Sequence, residues 1–233
     1  MSYLQQLFFG FYPYVVLSVF ALGCLVRFER EQYTWRSGSS QLLRRRQLVW
    51  GSNLFHVGIL GLFLGHFVGL LTPIALFEWL GIAHSAKQML AIVAGGIFGA
   101  MCFLGLTMLL YRRLFDARIR QTSSGMDIAI LLLLYLQLVF GMVTLPVSLE
   151  HLDGTNMIRF MEWAQHIVTF RAGAAELVVG TPWIFQIHLV LGMTIFLLFP
   201  FSRLVHIWSA PVWYVGRRYQ IVRTKRLETS RPL

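Results

Sequence analysis

The chain has 233 residues, of which 57% are hydrophobic and only 13% charged, and its formal net charge is +10. A mean hydropathy of +0.65 leaves too little polar surface to cover a soluble globule. The apolar runs are continuous rather than alternating, which excludes a transmembrane β-barrel and points to an all-α, polytopic membrane protein.

Five spans follow in chain order, over about residues 7–27, 48–71, 89–111, 127–148 and 183–208. Each is near the ~20 residues that cross a bilayer as a helix. No stretch between them is long or polar enough to fold alone, so residues 1–233 are expected to form a single domain. The opening MSYLQQ has no basic segment, so no cleavable signal peptide is expected. Span one leads into REQYTWRSGSSQLLRRRQ, a connection long enough to touch a partner but too short to be a domain.

Span two carries SNLFHVGILGLFLGHFVGLLTP, with His56 and His66 embedded in apolar sequence. Gly61, Gly65 and Gly69 recur every four residues along it. That spacing serves either close helix packing or room for a flat macrocycle. Pro73 is expected to end the span, and IALFEWLGI after it either re-enters or lies at the interface. Lys87 then precedes span three. It is placed either to hold a quinone oxygen or simply to snorkel at a helix start.

Asp127 opens span four, where a carboxylate favours a helix N-terminus. The connection 149–182 contains TNMIRFMEWAQHIVTF. Thr155 or Asn156 is expected to cap an amphipathic helix lying on the outer surface. Its apolar face would carry Met157, Phe160, Met161, Ala164 and Val168, with Arg159, Glu162 and Gln165 turned away. His84, His151 and His166 read as interfacial residues. Span five contains His188 and His206, with Pro200 as a bend. Arg203 stands three residues before His206, either for haem propionates or for snorkelling. Cys24 and Cys102 fall inside spans and are expected to be free buried thiols.

Charge supplies the orientation. Arg27, Arg30, Arg36, Arg44, Arg45 and Arg46 cluster after span one, and Arg112, Arg113, Arg118 and Arg120 after span three. The tail from Arg217 to Arg231 is basic as well, whereas Lys87, Arg159 and Arg171 are the only basic residues in the other connections. By the positive-inside rule the N-terminus lies outside (periplasmic) and the C-terminus inside (cytoplasmic). The basic segments therefore read as topology signals and as contacts to membrane lipid or a partner, with no nucleic acid involved.

Four ionisable imidazoles at membrane depth are costly and ask for a function. Span two runs from inside to outside and span five runs back. His66 therefore pairs with His188 near the outer side, and His56 with His206 near the inner side. Two neutral imidazoles facing each other from antiparallel helices are what a bis-histidine haem requires. The ten residues between His56 and His66 rise about 15 Å and end ~80° off the starting face, while the eighteen between His188 and His206 rise ~27 Å on one face. This mismatch suits porphyrins better than one small ion. No C-x-x-C-H occurs, so both haems would be b-type. Two haems at two depths imply electron transfer across the bilayer, with a quinol as the natural donor at the outer end.

These residues also carry a resemblance. QYTWR with the following SSQ, the span-two segment quoted above, and HLVLGMTIFLLFPFSRLVHIWSAPVWY resemble the gamma (cytochrome b) subunit of membrane-bound respiratory nitrate reductase. The resemblance covers nearly the whole chain. It implies that His66 and His188 hold a distal haem b and that His56 and His206 hold a proximal one. It also implies a quinol site (for menaquinol or ubiquinol) at Lys87, within Lys87-Gln88, and at Gly65. Electrons would pass to an iron–sulfur beta subunit and then to a molybdenum-containing alpha subunit, on the cytoplasmic side of the bacterial inner membrane. Nitrate would be reduced on that partner. Residues 74–86, 149–182 and the terminal KRLETSRPL depart from the family's pattern. Two rival readings are a di-haem b anchor for another cytoplasmic reductase, of sulfite or heterodisulfide type, and a haem-free anchor or transporter.

Overall fold

The computed structural model describes residues 2–35, 43–210 and 216. Arg36 and the tail's Arg217, Arg218, Arg223, Lys225, Arg226 and Arg231 lie outside the described residues, as does the VWY that closes the third quoted motif. Among the described residues there is no strand. Five helices are long and apolar enough to cross a membrane: Tyr3–Arg30, Arg45–Leu71, His84–Phe115, Gly125–Leu149 and Trp183–Phe201. They are spans one to five below.

Packing follows the order two, three, four, five, one: span two lies along span three, three on four, four on five, and five on one. Spans two and three approach closest, and glycine is the reason. A Cβ on Gly58 would stand 2.5 Å from the Cys102 backbone nitrogen and 2.7 Å from the Phe98 carbonyl oxygen. A Cβ on Gly105 would run into the backbone of Phe55 and Gly51. Such contact between helix backbones is how membrane helices associate where water supplies no driving force. Gly58→Val should force the two helices apart, at an overpacking cost of about 1–3 kcal/mol. The expected result is a lower unfolding temperature in detergent, with Gly96→Ala unchanged because a Cβ there meets nothing within 4 Å. Equal unfolding temperatures for Gly58→Val and the parent would refute this.

Three prolines shape the ends of the spans. Pro13 has no N–H for the carbonyl of Phe9, and the preceding turn, Leu7–Phe11, is a π-helix. The freed Phe9 carbonyl accepts a hydrogen bond from Trp163 Nε1 at 3.0 Å instead. Pro73 ends span two, and Ile74–Trp79 forms a separate short helix.

Pro200 has the largest effect. The expected span 183–208 is α-helical only over Trp183–Leu198. Beyond it come 3₁₀ turns at Phe199–Phe201 and Arg203–Ser209, separated by Ser202 in an extended conformation. Arg27 of span one satisfies the carbonyls that the break exposes, donating from Nη1 to Pro200 O at 2.6 Å and to Ser202 O at 2.8 Å. Gly23 lets span one come this close, since a Cβ there would lie 2.8 Å from Pro200 Cγ. His206 therefore leaves the 3₁₀ turn, and the same-face relation between His188 and His206 expected of one continuous helix does not hold.

The amphipathic helix forms over Thr155–Val168, with its cap changed. The N-cap is Gly154, in the left-handed region at φ +78°, rather than Thr155 or Asn156. The Asp153 carboxylate accepts from the Thr155 hydroxyl and backbone N–H, which holds its carboxyl below the usual carboxylate range. The helix packs on protein: Phe160, Trp163, Ala164 and Ile167 are buried in one cluster with Phe9 and Val16 of span one and Met193 of span five, and Met161 is buried as well. Val168 is exposed, and Gln165, expected to face away, donates to the carbonyls of Leu70 and Thr72 at 3.2 and 3.0 Å. The helix thus closes one end of the bundle and ties down the end of span two.

The opposite end carries the arginines. Asp127 and Ser124 form a capping box at the start of span four. Asp127 also lies 3.8 Å from Arg113 and 3.5 Å from Arg203. Arg44 pairs with Asp116 at 3.0 Å, and its guanidinium draws the Asp116 carboxyl below its ordinary value. Cys24 and Cys102 are free and buried.

Candidate functional site

Spans two and five face each other at His66 and His188 rather than interlocking along their length, since span two is packed on span three and span five on spans four and one. The two imidazole centroids are 6.1 Å apart, with ring planes at 43°. Metal–imidazole nitrogen bonds of about 2 Å place two rings on either side of one iron with centroids on the order of 6 Å apart. The pair read from topology is therefore brought to the spacing of two axial ligands. His56 and His206 make no ring contact with each other among the described residues; His56 instead packs edge-on against Phe55. The ring-to-ring relation is seen for one pair only.

The hydrogen bonds say which nitrogen of each ring is available. His56 Nδ1 lies 2.7 Å from the Ser52 carbonyl, His66 Nδ1 2.8 Å from the Leu62 carbonyl, and His206 Nδ1 2.6 Å from the Arg203 carbonyl. A carbonyl only accepts, so Nδ1 carries the proton in all three and Nε2 keeps its lone pair. That is the tautomer of a metal-ligating histidine whose other nitrogen is held in place. His188 differs. Its Nδ1 is buried without a hydrogen-bond partner, and its Nε2 lies 3.4 Å from the amide nitrogen of Gln137. Among the described residues no three His, Cys, Asp or Glu side chains cluster as a metal site. The one imidazole pair brought together, His66 and His188, stands at a spacing that fits a b-type haem.

Gly65 and Gly69 differ from Gly58 and Gly61 of the same span. A Cβ on Gly61 would strike the Phe98 ring, whereas a Cβ on Gly65 or Gly69 meets nothing within 4 Å. The glycine series is thus divided: one end packs helices, and the end around His66 keeps a bare backbone.

Lys87 lies within this same region and does not snorkel. Only 8% of it is exposed. Its Nζ donates to the Gly69 carbonyl at 3.2 Å, meets Met161 Sδ at 2.8 Å, and stands 3.7 Å from the centroid of the Phe77 ring. No carboxylate pairs with it among the described residues. The cation is held by a carbonyl dipole, a soft sulfur and an aromatic face. Gln88, next to it, donates to the Ser148 carbonyl at 3.4 Å and binds spans three and four together.

Arg203 lies at the arginine-rich end with its Nε 3.5 Å from Asp127, beside a cavity of about 260 Å³ that Arg27, Ser124 and Ser202 also line. The remaining histidines do not join the imidazole pairs. His84 lies 3.8 Å from Glu78, His151 Nδ1 is bonded to the Val147 carbonyl and His166 Nδ1 to the Ala172 carbonyl.

The sequence pattern assigns no role to Gln137 or Phe77, and places Met161 only on the apolar face of the amphipathic helix. Gln137 had a signal, as the lone amide within the apolar helix Gly125–Leu149. Met161 and Phe77 had none, because the capping helix brings the one and the short helix Ile74–Trp79 the other to Lys87 only in the fold.

Comparison with known proteins identifies the family. The family model described as nitrate reductase gamma subunit matches residues 5–225. The chain is 51% identical to the respiratory nitrate reductase 1 gamma chain of Escherichia coli (strain K12) over 226 residues, covering 97% of this chain and 100% of that one. It is 50% identical to the respiratory nitrate reductase 2 gamma chain of the same organism, with 97% and 99% covered. Identity to the nitrate reductase gamma chain of Bacillus subtilis (strain 168) is 38%, with 94% and 98% covered.

Proposed function

The chain belongs to the nitrate reductase gamma subunit family, and from that premise we propose that it is the subunit that oxidises quinol and carries the electrons across the membrane on two b haems. His66 and His188 hold the distal haem, and His56 and His206 the proximal one. The observation that carries this reading is the His66–His188 pair at 6.1 Å, at the end of span two whose Gly69 carbonyl holds Lys87.

Each residue of that region has a task. Lys87 Nζ is a buried cation that pairs with no carboxylate among the described residues, so it attracts the oxygen of a quinol as that oxygen loses its proton. Gly65, with no neighbour near its Cβ position, lets the flat ring approach the backbone beside His66. The capping helix, through Met161, holds Lys87 in place and excludes water from the pocket. Haem held by His66, His188, His56 and His206 would supply one-electron steps. Quinol gives up two electrons and two protons here, and the protons leave on the periplasmic side.

The partners follow from the same reading. The arginine-rich end faces the cytoplasm of a bacterial inner membrane, with the N-terminus outside. There it passes electrons to an iron–sulfur beta subunit and then to a molybdenum alpha subunit, where nitrate is reduced. Arg203, whose Nε is 3.5 Å from Asp127 and which lines the nearby cavity, would pair with haem propionates. A pyridine haemochrome assay on the purified, assembled complex should give two b haems for each copy of this chain. Absence of b haem from correctly assembled protein would overturn the proposal.

A further inference from the structure

Three of the four proposed axial histidines give their Nδ1 proton to a carbonyl of their own helix turn, and His188 alone does not. Its ring is packed into span four, where a Cβ on Gly141 would lie 2.8 Å from His188 Cε1. Among the described residues the side chain bonded to it is Gln137, whose amide nitrogen donates to His188 Nε2 at 3.4 Å. With Nε2 accepting, the proton sits on Nδ1, which is buried and unpartnered. Gln137 Oε1 is buried and unpartnered as well. Two touching side chains therefore hold one unsatisfied donor and one unsatisfied acceptor, an arrangement that is costly unless it is relieved.

The local sequence is built around this contact. Gly141 stands one turn beyond Gln137 and makes room for the His188 ring. Gly192 stands one turn beyond His188 and makes room for Gln137, since a Cβ there would lie 3.1 Å from Gln137 Nε2. The two antiparallel spans thus carry Q-x-x-x-G and H-x-x-x-G, each glycine accommodating the other span's polar side chain.

We propose that Gln137 is the positioning residue of the distal haem: its Oε1 accepts the Nδ1 proton of His188 when Nε2 is committed to iron. The proposal rests on the two-haem reading above. Once iron takes the Nε2 lone pair, the Gln137 amide loses its present acceptor and is free to turn its carbonyl towards Nδ1–H. Both orphaned atoms are then satisfied by one hydrogen bond. The acceptor also sets the ligand's electron donation, because a stronger acceptor on Nδ1–H makes the imidazole more basic and favours ferric iron.

The test is a redox titration of the assembled complex in membranes, followed optically for each haem, in the parent, Gln137→Leu and Gln137→Glu. Haemochrome content is measured first. If the parent carries no b haem the functional reading fails, and that outcome is distinct from failure of this inference. With both haems present, Gln137→Leu should raise the distal potential and Gln137→Glu should lower it. Each change should be about tenfold in the ferrous-to-ferric ratio, which is about 59 mV for a one-electron couple. The proximal couple should not move. Loss of the distal haem in Gln137→Leu with its retention in Gln137→Glu also supports the proposal, because a carboxylate still accepts from Nδ1. An unmoved distal couple in both variants, shifts of the same sign, or loss of the distal haem in both would overturn it.

Discussion

His188→Ala should remove the distal haem, leave the proximal one in place, and abolish quinol oxidation. The effect is large because the ligand pair acts as a unit: one imidazole cannot hold a six-coordinate iron, and His66 opposite it has no second ring at that spacing. His66→Ala should therefore do the same. The double variant should be no worse than either single one, the non-additivity expected of two residues that make one site. The two variants differ in a second property. His188 is packed between spans four and five, so its truncation also leaves a gap against Gly141 and lowers thermal stability. His66 lies on the exposed face of span two, and its truncation should cost much less stability. Haem content read by haemochrome, with optical spectra assigning the survivor, decides the matter. Retention of two b haems in either single variant would contradict the pairing.

Lys87→Met should lower kcat/KM for quinol by roughly 10- to 100-fold with both haems retained. Methionine keeps most of the stem that lies against Phe77 and Met161 and removes only the charge. A hydrogen bond to a charged group is worth about 1.5–3 kcal/mol, and each 1.36 kcal/mol is tenfold in rate. Lys87→Arg should rescue poorly. The guanidinium is larger, and its donors form a rigid fork, whereas the pocket offers Nζ a single carbonyl. Unchanged quinol kinetics in Lys87→Met would remove Lys87 from the site.

The spans and the approach of His66 to His188 were legible because they depend on hydropathy and chain direction, which are local or topological. Span two, expected over 48–71, is Arg45–Leu71, and span four, expected over 127–148, is Gly125–Leu149. The end of span five was not legible, although Pro200 marked it. A proline can bend a helix or end it, and here Ser202 turns extended because Arg27 of span one is present to bind the freed carbonyls. The capping helix shows a second limit. An apolar face at helical spacing has the same pattern whether it meets lipid or protein, and only the fold reveals that Trp163 answers the carbonyl left unpaired by Pro13. The glycines show a third. Gly58, Gly61, Gly65 and Gly69 look alike in sequence, yet the Phe98–Cys102 segment opposite the first two gives the series two jobs.

If electrons from quinol reach nitrate through b haems held by these four histidines, optical spectra of membranes containing the assembled complex will record it when a quinol is added and then nitrate. Quinol should reduce the b haems and nitrate should reoxidise them promptly, and membranes holding this chain without its partner subunits should show reduction by quinol but no reoxidation. Haems in the assembled complex that quinol cannot reduce, or that stay reduced when nitrate is added, would contradict it.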